Sequence, residues 1–265
     1  MVETPARPWE SDGNVTMDEI VTAAALVIGD EILSGRTKDR NIGAIADHLA
    51  AIGIQLAEVR IVGDQEAAIV EAVNALRSRY SYVFTTGGIG PTHDDITADC
   101  IGKAFGVPVE VDARAVAIMK QAYEKRGLEL TPARLRMART PAGSRLIGNS
   151  VSAAPGFMIG NVIVLAGVPA IMQAMLVAAT QHLRTGPRLN TVTLVLECPE
   201  AEIAELLGEH QKAYPDVAMG SYPAFIDGRY RTELVLRATV EERLQSASQE
   251  LAAKLEACGL RLTRQ

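Results

Sequence analysis

Apolar runs that fit buried strands alternate with amphipathic helical patterns through the first two thirds of the sequence. Residues 23–28 form a continuous apolar run, which is typical of a strand buried on both faces of a sheet. Apolar positions within residues 42–49 then repeat with the period of a helix, and Gly53 follows where that helix would end. This alternation predicts an α/β fold with a doubly wound, mostly parallel sheet.

The same alternation continues along the chain to about residue 183. Further strands are predicted at 54–62 and 82–85, and helices at 69–76, 94–105, 113–126 and 172–183, with a short helical turn at 134–138. Residues 157–166 contain two apolar stretches separated by Gly160-Asn161, a pattern that predicts a β-hairpin.

Residues 184–190 carry Gly186 and Pro187 and interrupt the pattern, so we place a domain boundary there. Residues 18–186 are predicted to form the large α/β domain, and residues 190–265 a smaller α+β domain of order βαββα. Residues 1–17 lack the apolar stretch of a secretion signal and are predicted to form a flexible tail.

Charge and cysteine content restrict the partners of the chain. The 26 basic and 32 acidic residues give a formal net charge of -6, which argues against a general nucleic-acid binder because phosphate neutralisation needs a basic surface. The longest apolar runs are too short to cross a bilayer. Cys100, Cys198 and Cys258 are widely spaced and odd in number, which favours free thiols in a reducing compartment. We therefore predict a cytoplasmic protein with no nucleic-acid partner and no membrane partner.

A glycine loop follows the predicted strand at 82–85. Its sequence is Thr86-Gly87-Gly88-Ile89-Gly90-Pro91-Thr92-His93-Asp94-Asp95. Open α/β sheets bind ligands at the carboxyl ends of their strands, and glycine lets a phosphate approach backbone N–H groups that a Cβ would shield. Thr92 and Asp95 form a Thr-x-x-Asp start to the next predicted helix, whose positive end would face the same space. The loop therefore predicts a binding site for a phosphorylated ligand.

Other interpretations of this loop have to be weighed. Glycine-rich turns between a strand and a helix are common, and Asp94 and Asp95 could simply cap the helix. A dinucleotide-binding G-x-G-x-x-G pattern starting at Gly88 would need glycine or alanine where His93 stands, and a Walker A motif ending at Lys103 would need glycine at Thr97.

Four ordered stretches resemble the CinA-like (competence/damage-inducible protein A) branch of the MoaB/Mog molybdopterin-binding domain family. They are residues 85–97 with the glycine loop, Gly29-Asp30-Glu31-Ile32-Leu33-Ser34-Gly35 followed by Asp39-Arg40-Asn41, Asn149 with Ala154-Pro155-Gly156, and Leu165-Ala166-Gly167-Val168-Pro169. Together they cover residues from about 22 to 185, which one glycine loop could not do.

The sequence also departs from the family pattern. Ala166 stands where the family often has proline, and Ile171 where many members have glutamate, so a role for that glutamate cannot be carried over. Residues 203–207 and 220–223 resemble the small domain that accompanies this branch, and residues 190–265 contain no G-x-x-G of an RNA-binding KH fold. The deamidase domain of longer CinA proteins is missing from this sequence, and we expect its activity to be missing too.

Acidic residues follow two of the predicted strands. Asp30 and Glu31 follow the first strand, and Asp94 and Asp95 follow the strand at 82–85. If these strands are neighbours, the carboxylates converge beside the phosphate-binding glycines, where only a divalent cation would relieve their repulsion of a phosphate. Oxygen ligands favour a hard ion, so we expect Mg²⁺, Mn²⁺ or Co²⁺ to be bound if the protein is an enzyme.

These arguments and the resemblance define the predicted site. The catalytic residues are predicted to be Asp30, Asp94 and Asp95, and the metal ligands Asp30, Glu31 and Asp95. The ligand-binding residues are predicted to be Gly29, Glu31, Asp39, Asn41, Thr86, Gly87, Gly88, Gly90, Thr92, Thr97, Asn149, Pro155, Gly156, Gly167 and Pro169.

The resemblance leaves three functions open. The first is metal-dependent hydrolysis of dinucleotide pyrophosphates such as ADP-ribose or FAD, which is linked to CinA-type domains. The second is binding of molybdopterin, with or without its adenylylation, as in the Mog branch. The third is a non-catalytic ligand-binding or assembly module. In each case the family implies a homodimer.

Overall fold

A computed structural model of the chain describes residues 20–264 and divides it into two compact units between Gly186 and Pro187. The predicted boundary at residues 184–190 spans this point. The predicted flexible tail, residues 1–17, lies outside the described residues. Within residues 20–264, no helix combines the length and the apolar character that crossing a membrane requires.

The first unit alternates strands and helices as the sequence pattern predicts. Its elements are β1 (Val21–Ile28), α1 (Asp30–Leu33), α2 (Asn41–Ala51), β2 (Ile54–Val62), α3 (Glu66–Arg79), β3 (Tyr82–Thr86), α4 (Thr97–Phe105), β4 (Val109–Val111), α5 (Ala113–Glu124), α6 (Pro132–Leu135), β5 (Arg139–Pro141), β6 (Arg145–Ile147), β7 (Gly156–Ile159), β8 (Val162–Leu165) and α7 (Pro169–Ala179). Short 3₁₀ turns at Arg136–Ala138 and Thr180–His182 extend α6 and α7.

The main sheet has the strand order β2-β1-β3-β8-β7-β6. Neighbouring strands from β2 to β8 are parallel. At the edge beyond β8, β7 pairs antiparallel with β8, and β6 pairs antiparallel with β7. The predicted fold class, a doubly wound and mostly parallel sheet, is confirmed. Because β2 and β3 lie on opposite sides of β1, the strand order reverses there, and such a reversal opens a crevice at the carboxyl ends of the strands.

The apolar run of β1 is explained by two hydrophobic cores, one on each face of the sheet. Leu26 and Ile28 belong to a core that contains residues of α3 and α4. Val21 and Ala23 belong to a second core, with residues of α2 and α7. Burial on both faces removes the need for polar residues at alternate positions, as in other parallel sheets.

The helix after the glycine loop begins later than predicted. It was expected from residue 94, but α4 begins at Thr97, whose backbone N–H donates to the Gly88 carbonyl at 3.0 Å. Residues 91–96 instead form turns in which the Asp95 side chain binds loop amides. The β4–β5 pair and β6 were not predicted because three-residue strands carry too little periodicity.

The second unit is a small two-layer α+β domain, again as predicted. It contains β9 (Asn190–Leu196), a 3₁₀ turn (Glu200–Glu202), α8 (Ala204–Ala213), β10 (Ala218–Ile226), β11 (Arg229–Ala238), α9 (Glu241–Ala257) and β12 (Leu262–Arg264). The strand order is β10-β11-β9-β12, with antiparallel neighbours throughout. The unpredicted β12 changes the βαββα order to βαββαβ, the ferredoxin-like arrangement.

The hairpin between β10 and β11 has a local cause. Its two turn residues, Asp227 and Gly228, have φ angles of 51° and 78°, and Ile226 pairs with Arg229. A two-residue turn with both φ angles positive suits the twist of a hairpin, and Asp-Gly is a favoured sequence for it. Asp227-Gly228 is therefore the local sequence signal for this turn.

The tight backbone approach at Gly87 generates the first prediction. Gly87 has a φ of 102°, and a Cβ there would overlap the Ile28 carbonyl group. Gly87→Ala is therefore expected to destabilise the first unit by about 3 kcal/mol, through strain and forced movement of backbone. Urea denaturation followed by circular dichroism measures this loss.

Gly106→Ala is the matched control. Gly106 ends α4 with a φ of 67°, but a Cβ there would meet no atom within 4 Å. This substitution should cost only the left-handed backbone penalty, about 1 kcal/mol. Equal losses for the two variants would contradict the packing argument at Gly87.

Candidate functional site

A cavity of about 640 Å³ lies at the carboxyl ends of the four parallel strands. Gly29 and Glu31 follow β1, Asp64 follows β2, the glycine loop follows β3, and residues 166–169 follow β8. A second wall comes from the segment after β4, through α5 and residues 152–154. This volume is within the range of roughly 300–1,000 Å³ that small-molecule sites occupy.

Thr97, the first residue of α4, holds the glycine loop through two hydrogen bonds. The buried Thr97 hydroxyl donates to the Gly87 carbonyl at 3.0 Å, while the Thr97 amide donates to the Gly88 carbonyl. A Cβ on Gly88 would overlap the Thr97 side chain. The positive φ angles of Gly87 and Gly88, 102° and 66°, follow from this close packing of loop on helix.

Asp95 holds the other end of the loop. One carboxylate oxygen accepts from the Gly90 amide at 2.6 Å, and the other accepts from the Thr92 amide at 2.8 Å and from the Thr92 hydroxyl. The Gly90 amide is therefore already used within the protein. Among the described residues, the amides of Gly88 and Ile89 have no protein acceptor, and both residues line the cavity. These two amides are free to bind a negatively charged group.

Carboxylates gather around the part of the cavity next to β1 and β2. Asp64 accepts a hydrogen bond from the Asp30 amide at 2.9 Å. Burial raises the pKa of Asp64, and the nearby carboxylates of Asp30, Glu31 and Asp94 raise it further, against the opposing effect of that hydrogen bond. The cavity thus contains carboxylates that repel one another and would be relieved by a bound cation.

The predicted metal ligands do not assemble into a metal cage made of protein alone. Across residues 20–264, no three or more histidine, cysteine, aspartate or glutamate side chains are placed to hold a metal ion together. Both Asp95 oxygens are engaged by the loop, so Asp30, Glu31 and Asp95 do not form the predicted triad. Mg²⁺ commonly uses one or two carboxylates and completes its shell with water and ligand phosphates, and Glu31 and Asp64 at the cavity wall suit that arrangement.

Half of the predicted site residues line the cavity. These are Gly29, Glu31, Gly87, Gly88, Gly90, Asp94, Asp95, Gly167 and Pro169. They come from three separate stretches of sequence, and the parallel strand order brings the three together.

The other predicted residues lie outside the cavity wall, and the structure gives most of them a supporting role. They are Asp30, Asp39, Asn41, Thr86, Thr92, Thr97, Asn149, Pro155 and Gly156. The Asp39 carboxylate accepts from the amides at the start of α2, and the Asn41 side chain donates to the Gly167 carbonyl at 2.8 Å. The Asn149 side chain accepts from two amides of its own turn and donates to the Ala154 carbonyl.

Three of these predicted residues are buried. Thr86 and Thr97 are at most 1% exposed, because one ends the central strand β3 and the other begins α4 beneath the loop. Gly156 is buried where a Cβ would overlap the Val164 carbonyl group. All three therefore pack within the protein, and their contact with a ligand stays a prediction.

Sequence reasoning missed several residues of the wall. Asp64 follows β2 as Asp30 follows β1, so the argument from strand ends could have found it. Tyr123, Arg126 and Met137 also line the cavity. No local sequence signal marks them, because they reach the site only through the packing of α5 and α6 against the turn before β7.

The fold and the site define an α/β domain whose glycine loop lines a cavity at a strand-order reversal. Residues 24–185 match the family model described as "Probable molybdopterin binding domain". The chain belongs to this family, the MoaB/Mog molybdopterin-binding domain family, in its CinA-like branch. Residues 188–261 match a second model, "FAD synthase, middle domain".

Individual relatives agree with this assignment. A protein of Pyrobaculum arsenaticum is 36% identical over 74% of this chain and 77% of its own length. A CinA-like protein of Citrifermentans bemidjiense is 36% identical over 88% of this chain, which spans 58% of that relative. The crystal structure of the protein CinA, of unknown function, from Thermoplasma acidophilum superposes with a TM-score of 0.56 at 35% identity, covering 63% of this chain and 99% of that chain.

The raised pKa of Asp64 generates a prediction about stability and pH. An acid whose pKa is higher in the folded than in the unfolded state makes the ionised folded state less stable at neutral pH. Asp64→Asn removes this charge and keeps an oxygen that can accept from the Asp30 amide. In metal-free buffer at pH 7 its Tm is expected to rise by about 2–4 °C in differential scanning calorimetry.

The effect should depend on pH in one direction. As pH falls into the carboxyl range, folded Asp64 takes up a proton before the unfolded chain does, so the wild type regains stability and the difference shrinks. Asp47→Asn, at an exposed position of α2, is the control and should leave Tm unchanged. A lower Tm for Asp64→Asn at pH 7 would contradict the proposed repulsion.

Proposed function

We propose that the cavity binds the pyrophosphate of a dinucleotide and that the protein hydrolyses it with a divalent cation. One observation carries this proposal: the unpartnered amides of Gly88 and Ile89 line the same cavity as the carboxylates of Glu31, Asp64 and Asp94. Amides that bind a phosphate beside carboxylates that repel it suit a ligand bound together with Mg²⁺, Mn²⁺ or Co²⁺.

Separate residues bind the phosphate, hold the cation and accept the proton in the proposed reaction. The Gly88 and Ile89 amides bind phosphate oxygens, and Asp95 and Thr97 keep the loop in the shape that presents these amides. Glu31 and Asp64 would hold the cation, which when bound neutralises the phosphate oxygens. Asp94 faces the cavity as a base that accepts a proton from the attacking water. The water oxygen joins one phosphorus as the P–O–P bond breaks, which turns ADP-ribose into AMP and ribose 5-phosphate.

The roles predicted for Asp30 and Asp95 change in this proposal. Asp30 lies next to Asp64 and not at the cavity wall, so we assign it to positioning through its amide. Asp95 lines the cavity but has both oxygens bound to the loop, so we assign it to the loop as well. The match of residues 188–261 to the middle domain of FAD synthase supports a nucleotide ligand such as FAD.

The runner-up is a protein that binds molybdopterin, with or without adenylylation. The match of residues 24–185 to a molybdopterin-binding family favours it, and the same free amides would bind the phosphate of the pterin. A non-catalytic ligand-binding or assembly module is the third proposal. For each we propose a cytoplasmic homodimer, whose subunit number light scattering would measure.

Product analysis tests the lead proposal. Purified protein is incubated with ADP-ribose or FAD and Mg²⁺, Mn²⁺ or Co²⁺, and AMP is measured by chromatography. We expect AMP with at least one metal and none after EDTA treatment. Asp94→Asn should lower kcat by roughly 100-fold or more, since it removes the base, while Asp47→Asn should retain full activity.

The alternatives give distinct results in the same assay. Tight molybdopterin binding without AMP from any substrate and metal would favour the runner-up. Full activity in Asp94→Asn would remove this residue from the chemistry.

A further inference from the structure

The second wall of the cavity contains a tyrosine and an arginine that the proposed chemistry does not use. Tyr123 lies on α5, and Arg126 follows the end of that helix, three positions later. Both line the same cavity as the glycine loop. The Arg126 amide donates to the Tyr123 carbonyl at 3.0 Å, which keeps the two residues next to each other at the end of the helix.

The Tyr123 ring is supported from outside the cavity. The Arg134 guanidinium lies 4.8 Å from the ring centroid, and Arg134 also donates to the Glu129 carbonyl. Arg134 itself is not part of the cavity wall. A ring held in this way is a pre-ordered surface on which a flat heterocycle can stack.

The wall that carries Tyr123 has its own small core. Ala115 and Met119 of α5 pack with Ala138 and Ala153, and Tyr123 is partly buried against them. This cluster is separate from the two cores of the main sheet. Substitution of Tyr123 by an apolar side chain should therefore change the cavity without unfolding the sheet.

Arg126 carries the positive charge of the cavity wall. Among the lining residues that the structure describes, it is the one cationic side chain, against the acidic Glu31, Asp64, Asp94 and Asp95. Its Nη2 donates to the Val151 carbonyl at 3.2 Å, which uses one of its five N–H donors. No described carboxylate forms an ion pair with Arg126, so its remaining donors can bind an anionic ligand.

We infer that Tyr123 and Arg126 form a nucleoside subsite, in which the base stacks on the Tyr123 ring and Arg126 binds a phosphate oxygen. This inference rests on the proposed function and adds to it the residues that recognise the base. The preferred ligands are pyrophosphates that carry an aromatic base, and inorganic pyrophosphate, which cannot reach the ring, binds more weakly.

Two non-hydrolysable probes separate the roles of the two residues. Isothermal titration calorimetry with Mg²⁺ measures the Kd of α,β-methylene-ADP-ribose, which has a base, and of methylenediphosphonate, which has none. Tyr123→Leu is expected to weaken the first by about tenfold and to leave the second unchanged. Arg126→Gln is expected to weaken both by about tenfold or more, because both carry phosphate charge.

Conservative variants serve as controls. Tyr123→Phe keeps the ring and should bind both probes like the wild type. Lys125→Gln removes a neighbouring positive charge that lies outside the cavity wall and should also leave both Kd values unchanged.

The outcomes distinguish this inference from the proposed function. If the wild type binds the probes but releases no AMP from ADP-ribose, the proposed hydrolysis is overturned. The Kd values of the variants then still test the nucleoside subsite. The wild type could release AMP while Tyr123→Leu and Arg126→Gln both bind the two probes with unchanged Kd values. That result would overturn the subsite and leave the proposed hydrolysis standing. If the wild type binds neither probe, both are overturned.

Discussion

The contact between the backbone at Gly87 and the carbonyl group of Ile28 is the constraint on which the site depends. It leaves no space for a Cβ, brings the loop after β3 against the end of β1, and turns the following backbone into a left-handed conformation. Thr97 then donates a hydrogen bond to the Gly87 carbonyl, and Asp95 accepts one from the Gly90 amide at the other end of the loop. The orientation of the Gly88 and Ile89 amides is set before any ligand arrives, which lowers the cost of binding.

The electrostatics of the cavity act against the stability of the ligand-free protein. The carboxylates of Asp30, Glu31 and Asp94 raise the pKa of Asp64, in addition to the effect of its burial. Such repulsion is tolerated at functional sites, where a bound cation and ligand reverse it. The second wall differs in character, since it offers the aromatic ring of Tyr123 and the positive charge of Arg126. The proposed ligand, which carries phosphates and a flat base, would suit both walls.

Much of this fold follows from simple sequence patterns. The apolar run of β1 predicts burial on both faces, and the two cores beside it confirm that prediction. Alternation of strands and helices predicts the sheet, and the rule that ligands bind at strand ends predicts the position of the glycine loop. The β12 strand escapes detection, because its three residues form a strand only by pairing with β9.

The candidate site is less predictable than the fold, for physical reasons. The position of Asp95 after a strand predicts an acid that contacts the ligand. Its hydrogen bonds to Gly90 and Thr92, however, depend on the shape of the folded loop. Asn41 stabilises Gly167 across 126 positions of sequence, a contact without a local pattern. Tyr123 reaches the cavity through tertiary packing of a helix that looks ordinary in the sequence.

Amide chemical shifts can report whether the glycine loop binds an anion. In ¹⁵N-labelled protein with Mg²⁺, addition of methylenediphosphonate should cause the largest shifts at the Gly88 and Ile89 amides. The amides of Gly106 and Gly228, which end α4 and turn the small-domain hairpin, should be unaffected. If other amides shift at saturating probe while those of Gly88 and Ile89 stay unchanged, the glycine loop does not bind the anion.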